Sequence, residues 1–202
     1  MHSEMASIDI ADAMLVERCR QGDSAAMERL IRKYQNRLYN VIFKICANPD
    51  DAAELTQDTF VKIIDSIDKF ESKSAFYTWA FRIAVNLTLN YCRRNARLTL
   101  RSLNAEDSEH GTNDTQALME FLSDDSSPDP ALVAQNKELC EIAIQSLMKL
   151  DDEQRTVVVL RDIEGMNYAQ IANVLQIKLG TVRSRLSRAR SRLREIMEAI
   201  LQ

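Results

Sequence analysis

The sequence predicts an all-α protein made of two small helical domains, which are joined by an acidic, flexible linker and of which the C-terminal one is a helix-turn-helix. The 202-residue chain has only four glycines and three prolines, so it encodes few of the turns that a β-sandwich or a barrel requires. Apolar residues recur at helical spacing through most of the chain. Between two such regions, residues 104–130 carry eight acidic side chains and no lysine or arginine, which is typical of a linker.

Polar residues that can cap a helix divide the N-terminal domain, predicted to span residues 1–101, into four helices. Each can accept a hydrogen bond from the first turn of a helix or place a negative charge beside it; they are Ser7, Asp23 or Ser24, Asp50 with Asp51, and Ser74. The second helix has apolar residues at helical spacing from Met27 to Ile45. Pro49 ends it, because proline disfavours helical backbone in the residue before it.

The fourth predicted helix, residues 75–97, carries two different stripes. One is apolar and includes Phe76 and Trp79, which we expect to pack in the core rather than to stack on a ligand. The other repeats at steps of four, four, three and four, so its side chains share one face; they are Arg82, Asn86, Asn90, Arg93 and Arg97. The segment from Arg82 to Arg101 holds five arginines and no acid, which makes this face a candidate surface for a polyanion.

The formal net charge of −4 is distributed unevenly along the chain. Residues 1–101 carry +2, residues 102–154 carry −11 and residues 155–202 carry +5. A mild average therefore hides a strongly acidic middle and a basic C-terminal block. The acidic middle contains the predicted linker, residues 102–131, and the start of the C-terminal domain, residues 132–202, which opens with a weakly patterned helix at 132–148.

A short helix, a tight turn and a long basic helix follow one another near the C-terminus. The short helix spans residues 168–175 and is preceded by Asn167, with Gln170 three residues later, which is the spacing of a capping box. Residues 176–178 form the turn. This order is a helix-turn-helix, in which the second helix reads the major groove of DNA.

The side of the long helix opposite its apolar stripe is predicted to face DNA. Counting about 100° per residue from Val182, four side chains point outward near the N-terminal end, which is the part of a recognition helix that reaches base edges; they are Arg183, Ser184, Ser187 and Arg188. Four more lie to the flanks, where phosphates would be: Arg185, Arg190, Arg192 and Arg194. The alternative is that the long basic helix has no DNA-binding role and is simply exposed to solvent, with its arginines paired with the acidic linker. The capped turn of the right length favours DNA binding.

We predict no metal, cofactor or catalytic site. The four cysteines are at least 27 residues apart, whereas a zinc site needs clustered ligands, so we expect reduced thiols that act as small apolar groups. The sequence has no glycine-rich phosphate loop, HExxH motif or nucleophile elbow. The first residues lack a basic region and the longest aliphatic run is residues 157–160, so we expect neither a signal peptide nor membrane insertion and place the protein in the cytoplasm.

Several segments resemble bacterial RNA polymerase sigma factors of the sigma-70 family, in the small extracytoplasmic-function (ECF) group. The C-terminal resemblance is to the promoter-reading domain and rests on residues 150–155, 160–165, 168–172 and 180–190. In the N-terminal half, residues 51–60 resemble the polymerase-binding helix of the group. Residues 76–86, followed by Arg93-Arg94, resemble its helix for the upstream part of the promoter bubble.

Two positions depart from the pattern of this family. Asp151 stands where members often have proline, but aspartate is also a good N-cap residue, so the same fold is expected. Ala53 stands where the polymerase-binding helix often has a further acid, which predicts weaker binding to polymerase without a change of role.

The resemblance implies a promoter-specific initiation factor, not an enzyme, that recognises −35 and −10 elements and helps to melt the second, for a regulon that responds to stress or to the envelope. The implied partners are core RNA polymerase and promoter DNA in duplex and single-stranded form; the group commonly has an anti-sigma factor as well, and we expect a monomer when free. The implied polymerase-binding residues are Asp51, Glu54, Leu55, Gln57, Asp58 and Phe60.

The resemblance also implies two sets of DNA-binding residues. For the −10 element they are Phe70, Arg82, Asn86, Asn90, Arg93, Arg94 and Arg97. For the −35 element they are Thr181, Arg183, Ser184, Arg185, Ser187, Arg188 and Arg190. Because Phe70 falls in a predicted loop, residues 69–74, we expect it to be exposed and able to stack on unpaired bases.

Two other classes of function are weighed against this interpretation. A dimeric regulator that binds a palindromic operator would need a dimer surface or a sensor domain, and the N-terminal half shows neither a ligand-binding motif nor a heptad zipper. A monomer in gel filtration favours the sigma factor. An enzyme would need one of the motifs that are absent, and an assay of nucleotide hydrolysis separates that class.

Overall fold

Helices make up every regular element of residues 2–71, 75–102 and 142–200, which are the residues that the computed structural model describes. The N-terminal half contains α1 (His2–Arg20), α2 (Ser24–Cys46), α3 (Pro49–Ser66), a 3₁₀ turn (Ile67–Lys69) and α4 (Phe76–Ser102). The C-terminal half contains α5 (142–148), α6 (Asp152–Val158), a π-helical turn (Val159–Ile163), α7 (Tyr168–Leu175) and α8 (Leu179–Ile200). The predicted all-α class is confirmed, whereas the predicted linker beyond residue 102 lies outside the described residues.

Helix caps form largely where the sequence predicts them. Asp23 caps α2 by accepting a hydrogen bond from the backbone N–H of Ala26 at 3.1 Å. The cap of α3 is Asn48 rather than the aspartates that follow it, because Pro49 occupies the first helical position. In the C-terminal half, Asp151 caps α6, as expected for an aspartate at the position where the family that the sequence resembles often has proline.

Two helix starts differ from the prediction or fall outside it. Helix α1 begins at His2 rather than after a cap at Ser7, and no glycine or proline between these residues interrupts it. The predicted cap of α4, Ser74, lies outside the described residues, and α4 itself begins at Phe76. The capping box of α7, formed by Asn167 and Gln170, is present in full.

Helix α2 is the centre of the N-terminal half, since α1, α3 and α4 all pack against it. Its apolar face is buried from Leu30 to Ile45. Helix α1 adds a buried carboxylate, Asp12, which accepts hydrogen bonds from Lys33 and Tyr34 of α2. A buried charge is tolerated there because it is paired and hydrogen-bonded.

The helix-turn-helix forms as predicted and packs on α6. The turn between its two helices contains Gln176 in a left-handed conformation with φ +54°. The stripe that α8 buries consists of Val182, Leu186, Ala189 and Ile196. The predicted apolar stripe therefore positions the opposite face of α8 toward solvent.

The two halves pack against each other in this structure. Helix α7 lies on α4, and α6 with its π-helical turn lies on α2. Arg155 of α6 is buried at this contact and donates hydrogen bonds to the carbonyl of Ile45 at 2.7 Å and to the carbonyl of Leu150 at 3.0 Å. The guanidinium thus joins the last turn of α2 to the start of the C-terminal half.

The described cysteines, Cys19, Cys46 and Cys92, are free thiols. Burial raises the pKa of Cys46 to about 11 and that of Cys92 to about 12, so both are protonated near neutral pH, in line with their predicted role as small apolar groups. Across the same described ranges, no helix has the length and apolar character to cross a membrane.

Replacing Arg155 by methionine tests how much this buried contact stabilises the chain. The change keeps the apolar stem but leaves buried carbonyls, including that of Ile45, without their donor. We expect the free energy of unfolding to fall by about 3 kcal/mol, measured by urea unfolding with far-ultraviolet circular dichroism. Arg192→Met is the control, because Arg192 is exposed and its one ion pair among the described residues is with Glu195, one turn along. Equal loss in both variants would contradict the assignment.

Candidate polymerase and promoter interfaces

The outer face of α3 is polar at its N-terminal end and apolar at its C-terminal end. Glu54, Gln57 and Asp58 are exposed there, as predicted for a surface that binds a partner. The same face continues into Val61 and Ile64, of which 56% and 46% are exposed. Ile64 therefore lies outside the buried side of α3, which is lined by Ala52, Leu55, Thr56, Thr59 and Ile63.

Three other residues predicted for this surface face the interior. Leu55 is 5% exposed and belongs to the core, so contact with a partner through its side chain is ruled out in this conformation. Phe60 is half-buried. Asp51 is half-buried beside Tyr91 of α4; burial, and then a hydrogen bond with Asp51, raise the pKa of Tyr91 to about 12. Asp51 therefore joins α3 to α4.

The basic and amide stripe of α4 becomes more exposed toward its C-terminal end. Arg82 and Asn86 are half-buried, whereas Asn90 and Arg93 are exposed. Arg94 is exposed too, with its guanidinium 5.7 Å from the centre of the Tyr91 ring. The side chain of Arg97 lies outside the described residues. The structure therefore brings the described members of the predicted −10 set onto one helix, with the exception of Phe70.

Phe70 is buried, which corrects the expectation that it is exposed. Only 5% of it is accessible, because its ring packs edge-on against Phe76, with the ring centroids 5.8 Å apart, and at a tilt against Trp79, with the centroids 5.1 Å apart. The prediction that Phe76 and Trp79 belong to the core is confirmed. In this conformation Phe70 supports the start of α4 and is not available for stacking on a base.

The outward face of α8 is exposed where the helical count predicts it. Arg183, Ser184, Ser187 and Arg188 are all exposed, on the side opposite the buried stripe. The hydroxyl of Ser184 donates a hydrogen bond to the carbonyl of Thr181 at 3.0 Å, and Thr181 itself is half-buried in the first turn.

Acidic side chains neutralise three of the four flanking arginines of α8. Arg185 pairs with Glu153 at 2.7 Å, Arg192 with Glu195 at 3.0 Å, and Arg190 with both oxygens of Asp162. The hydrogen bonds that Arg190 donates to Asp162 raise the pKa of Arg190 above its ordinary value. Within the part of the chain that the structure describes, three arginines of α8 form no ion pair; they are Arg183, Arg188 and Arg194.

Family models match both halves of the chain. The model for Sigma-70 region 2 matches residues 30–98, and the model for Sigma-70, region 4 matches residues 140–193. The RNA polymerase sigma-H factor of Pseudomonas aeruginosa is 34% identical over 95% of this chain and 96% of its own length. The ECF RNA polymerase sigma-E factor of Haemophilus influenzae is 33% identical over 95% of this chain and 98% of its own length.

The chain belongs to the ECF group of sigma-70 family sigma factors. Two solved structures share its fold. CnrH, in complex with the cytosolic domain of CnrY, has a TM-score of 0.62 and 27% identity over 94% of this chain and 98% of that one. The sigma factor RpoE of Bartonella quintana, in complex with the anti-sigma factor NepR, has a TM-score of 0.64 and 22% identity over 85% of this chain and 96% of that one. The predicted family is confirmed, and the protein is a promoter-recognising factor of transcription initiation.

A partly buried cluster of charges joins the two halves of this sigma factor. Glu164, which follows the π-helical turn, lies 3.2 Å from Arg37 and 3.8 Å from Lys44, both of α2. Arg37 also donates a hydrogen bond to the hydroxyl of Tyr77 at 3.0 Å. Burial lowers the pKa of Lys44, and the carboxylate of Glu164 opposes that shift. The side chains of Lys44 and Glu164 are each only 7% exposed, so Glu164 is the anion that compensates the buried charge of Lys44.

Glu153 forms a second link, because it pairs with an arginine of each half. Its carboxylate is 2.8 Å from Arg93 of α4 and 2.7 Å from Arg185 of α8. Sequence patterns alone do not identify Glu153, Glu164 or Arg155 as contacts between the halves. No local signal marks them, since their partners are distant in the sequence and isolated acids are common on helices.

Replacing Glu164 by glutamine tests whether the charge cluster holds the halves together. The change keeps the shape of the side chain but leaves Lys44 buried without an anion, which should weaken the contact by about 3 kcal/mol. We expect a larger radius of gyration for the free chain in small-angle X-ray scattering. Glu198→Gln is the control, because Glu198 is exposed on α8. An unchanged radius for Glu164→Gln would show that apolar contacts alone hold the halves.

Proposed function

We propose that three surfaces share the work of this sigma factor: the outer face of α3 binds core RNA polymerase, α4 captures the unpaired strand of the −10 element, and α8 reads the −35 duplex. On α3 the proposed contacts are Glu54, Gln57 and Asp58, with the exposed apolar side chains of Val61 and Ile64 beside them. Polar groups around a small apolar patch suit a specific protein interface.

The observation that carries the proposal is the outward face of α8. A helix-turn-helix presents the N-terminal part of its second helix to base edges. Here that part carries Arg183 and Arg188, both exposed and without an ion pair to any described residue, beside two exposed serines. Arginine can donate to the O6 and N7 atoms of guanine, and a serine hydroxyl can bond either a donor or an acceptor on a base edge. These side chains therefore suit sequence readout.

Phosphate contact is proposed for Arg194 on α8 and for Arg93, Arg94 and Arg97 on α4. Arg94 and Arg93 are exposed at the C-terminal part of α4, and an unpaired strand is bound through charge together with stacking. For Arg93, Arg185 and Arg190 this role requires that phosphate replace their carboxylate partners, which are Glu153 and Asp162.

Further properties complete the proposal. The family consists of DNA-binding initiation factors, and we propose that this chain catalyses no reaction of its own. We also propose that it acts in the cytoplasm as a monomer when free, that an anti-sigma factor holds it inactive, and that its regulon responds to stress or to the envelope. The RpoE structure in complex with NepR supports an anti-sigma partner through a shared fold.

Run-off transcription with core polymerase on genomic promoter fragments tests the polymerase surface. The wild-type chain should direct specific transcripts. Glu54→Lys combined with Asp58→Lys should compete for core polymerase about tenfold less well, because it reverses two exposed charges, each surface contact being worth up to about 1 kcal/mol. A matched control, Glu28→Lys with Glu198→Lys, makes the same charge change on exposed positions elsewhere and should compete normally. Normal competition by the α3 variant would refute this surface.

A second comparison separates base readout from phosphate contact on α8. Arg188→Ala, in complex with core polymerase, should relax the sequence preference at one or two upstream positions, since a bidentate arginine discriminates by about 1–3 kcal/mol. Arg194→Ala should weaken binding to all sequences alike and reduce the salt slope by about one. Both are measured on a promoter library randomised across the upstream element. Identical preference profiles for the two variants would mean that Arg188 holds only the backbone.

A further inference from the structure

Arg20, in the last turn of α1, reaches across to the segment that precedes α4. Its Nε donates to the carbonyl of Ile67 at 3.3 Å, and its Nη2 donates to the carbonyl of Phe70. Its Nη1 is held by Glu17 one turn earlier, at 3.2 Å. All three nitrogens of the guanidinium are therefore used, and the side chain is only 28% exposed.

The two carbonyls lie at either end of a change in backbone direction. Ile67 begins the 3₁₀ turn, and Phe70 ends it in an extended conformation, with its own N–H bonded to the carbonyl of Ile67 at 3.2 Å. A carbonyl that leaves a helical turn has no partner within that turn. Arg20 supplies one to Phe70, so it fixes the backbone at the point where the chain turns toward α4.

Fixing that backbone also fixes an aromatic cluster. The ring of Phe70 packs against Phe76 and Trp79, the first residues of the buried face of α4, and Tyr34 of α2 contacts Phe76 at 5.4 Å. The planar fork of arginine can hold two carbonyls at once, whereas the single ammonium of lysine cannot match both directions. No local sequence pattern indicates this contact, because Arg20 and Phe70 are 50 residues apart.

We propose that Arg20 is a positioning residue for capture of the −10 strand. It holds Phe70 against Phe76 and Trp79 in the first turn of α4. This aromatic packing fixes the position of α4 and thereby of its strand-binding face. Phe70 thereby acts as part of that packing rather than as a base-stacking group. This inference rests on the proposed function of α4, and it adds a residue of α1 that touches neither DNA nor polymerase in that proposal.

The test uses the sigma factor bound to core polymerase and two fluorescent probes from a promoter found by run-off transcription. One probe is a single-stranded, non-template oligonucleotide that covers the downstream element, and the other is a duplex that carries only the upstream element. Arg20→Ala should lower affinity for the single strand about tenfold, the effect expected for losing charge-assisted hydrogen bonds. The affinity of Arg20→Lys for the single strand should lie between those of the wild type and Arg20→Ala. Binding of both variants to the duplex and to core polymerase should stay unchanged.

Arg18→Ala is the matched control, because Arg18 lies on the same helix and pairs with Asp23 instead of the 3₁₀ turn. It should bind both probes as the wild type does. Wild-type affinity of Arg20→Ala for the single strand overturns the inference. Equal loss of single-strand, duplex and polymerase binding also overturns it, since that marks a general support of the fold.

Two further outcomes keep the test decisive. If Arg20→Ala does not fold, Arg20→Lys and Arg20→Gln replace it, and an unchanged single-strand affinity in both overturns the inference. If the wild-type complex itself shows no preference for the downstream strand over an unrelated oligonucleotide, the proposed function of α4 has failed, and the role of Arg20 falls with it. The two failures are therefore distinguished by the wild-type measurement.

Discussion

The arrangement of the two halves depends on the burial of Arg155, a cation that can lie in the interior only where enough acceptors surround it. The last turn of α2 has carbonyls without helical partners, and that of Ile45 accepts from Arg155. The chain just before α6 supplies another acceptor, the carbonyl of Leu150. One side chain thus satisfies both the end of α2 and the start of the C-terminal half, so α6 is held on α2. The helix-turn-helix that packs on α6 takes its orientation from this contact.

This arrangement decides which arginines are available to DNA. Glu153 pairs with Arg93 and Arg185, for which we propose contacts to two different promoter elements. One carboxylate cannot follow both arginines to separate segments of DNA, so at least one pair must break when both elements are bound. Exposed ion pairs contribute about 0–1 kcal/mol each, so phosphate can replace the carboxylate at little cost. The acids therefore lower the positive charge of the free protein without strongly opposing the binding of DNA.

Local patterns predicted the helices and the core-facing stripes, because these depend on neighbours in the sequence. The capping box at Asn167 and the stripe from Val182 to Ala189 are examples. Residues whose surroundings come from distant segments were placed less well. Phe70 follows a 3₁₀ turn and looks exposed by sequence, but Arg20 and the rings of α4 enclose it. Which side of α3 is buried likewise depends on how α3 packs against α2 and α4, which periodicity alone does not decide.

The π-helical turn shows how a local irregularity can serve the tertiary contact. A regular helix advances about 100° per residue, and the extra residue of a π turn shifts everything that follows it around the axis. Val159 and Leu160 remain buried, while the N–H of Glu164 bonds to the carbonyl of Val159 at 2.9 Å. Gly165, with φ +69°, then turns the chain toward α7. The turn therefore directs the carboxylate of Glu164 to Lys44 and Arg37, while the apolar side chains before it stay in the core.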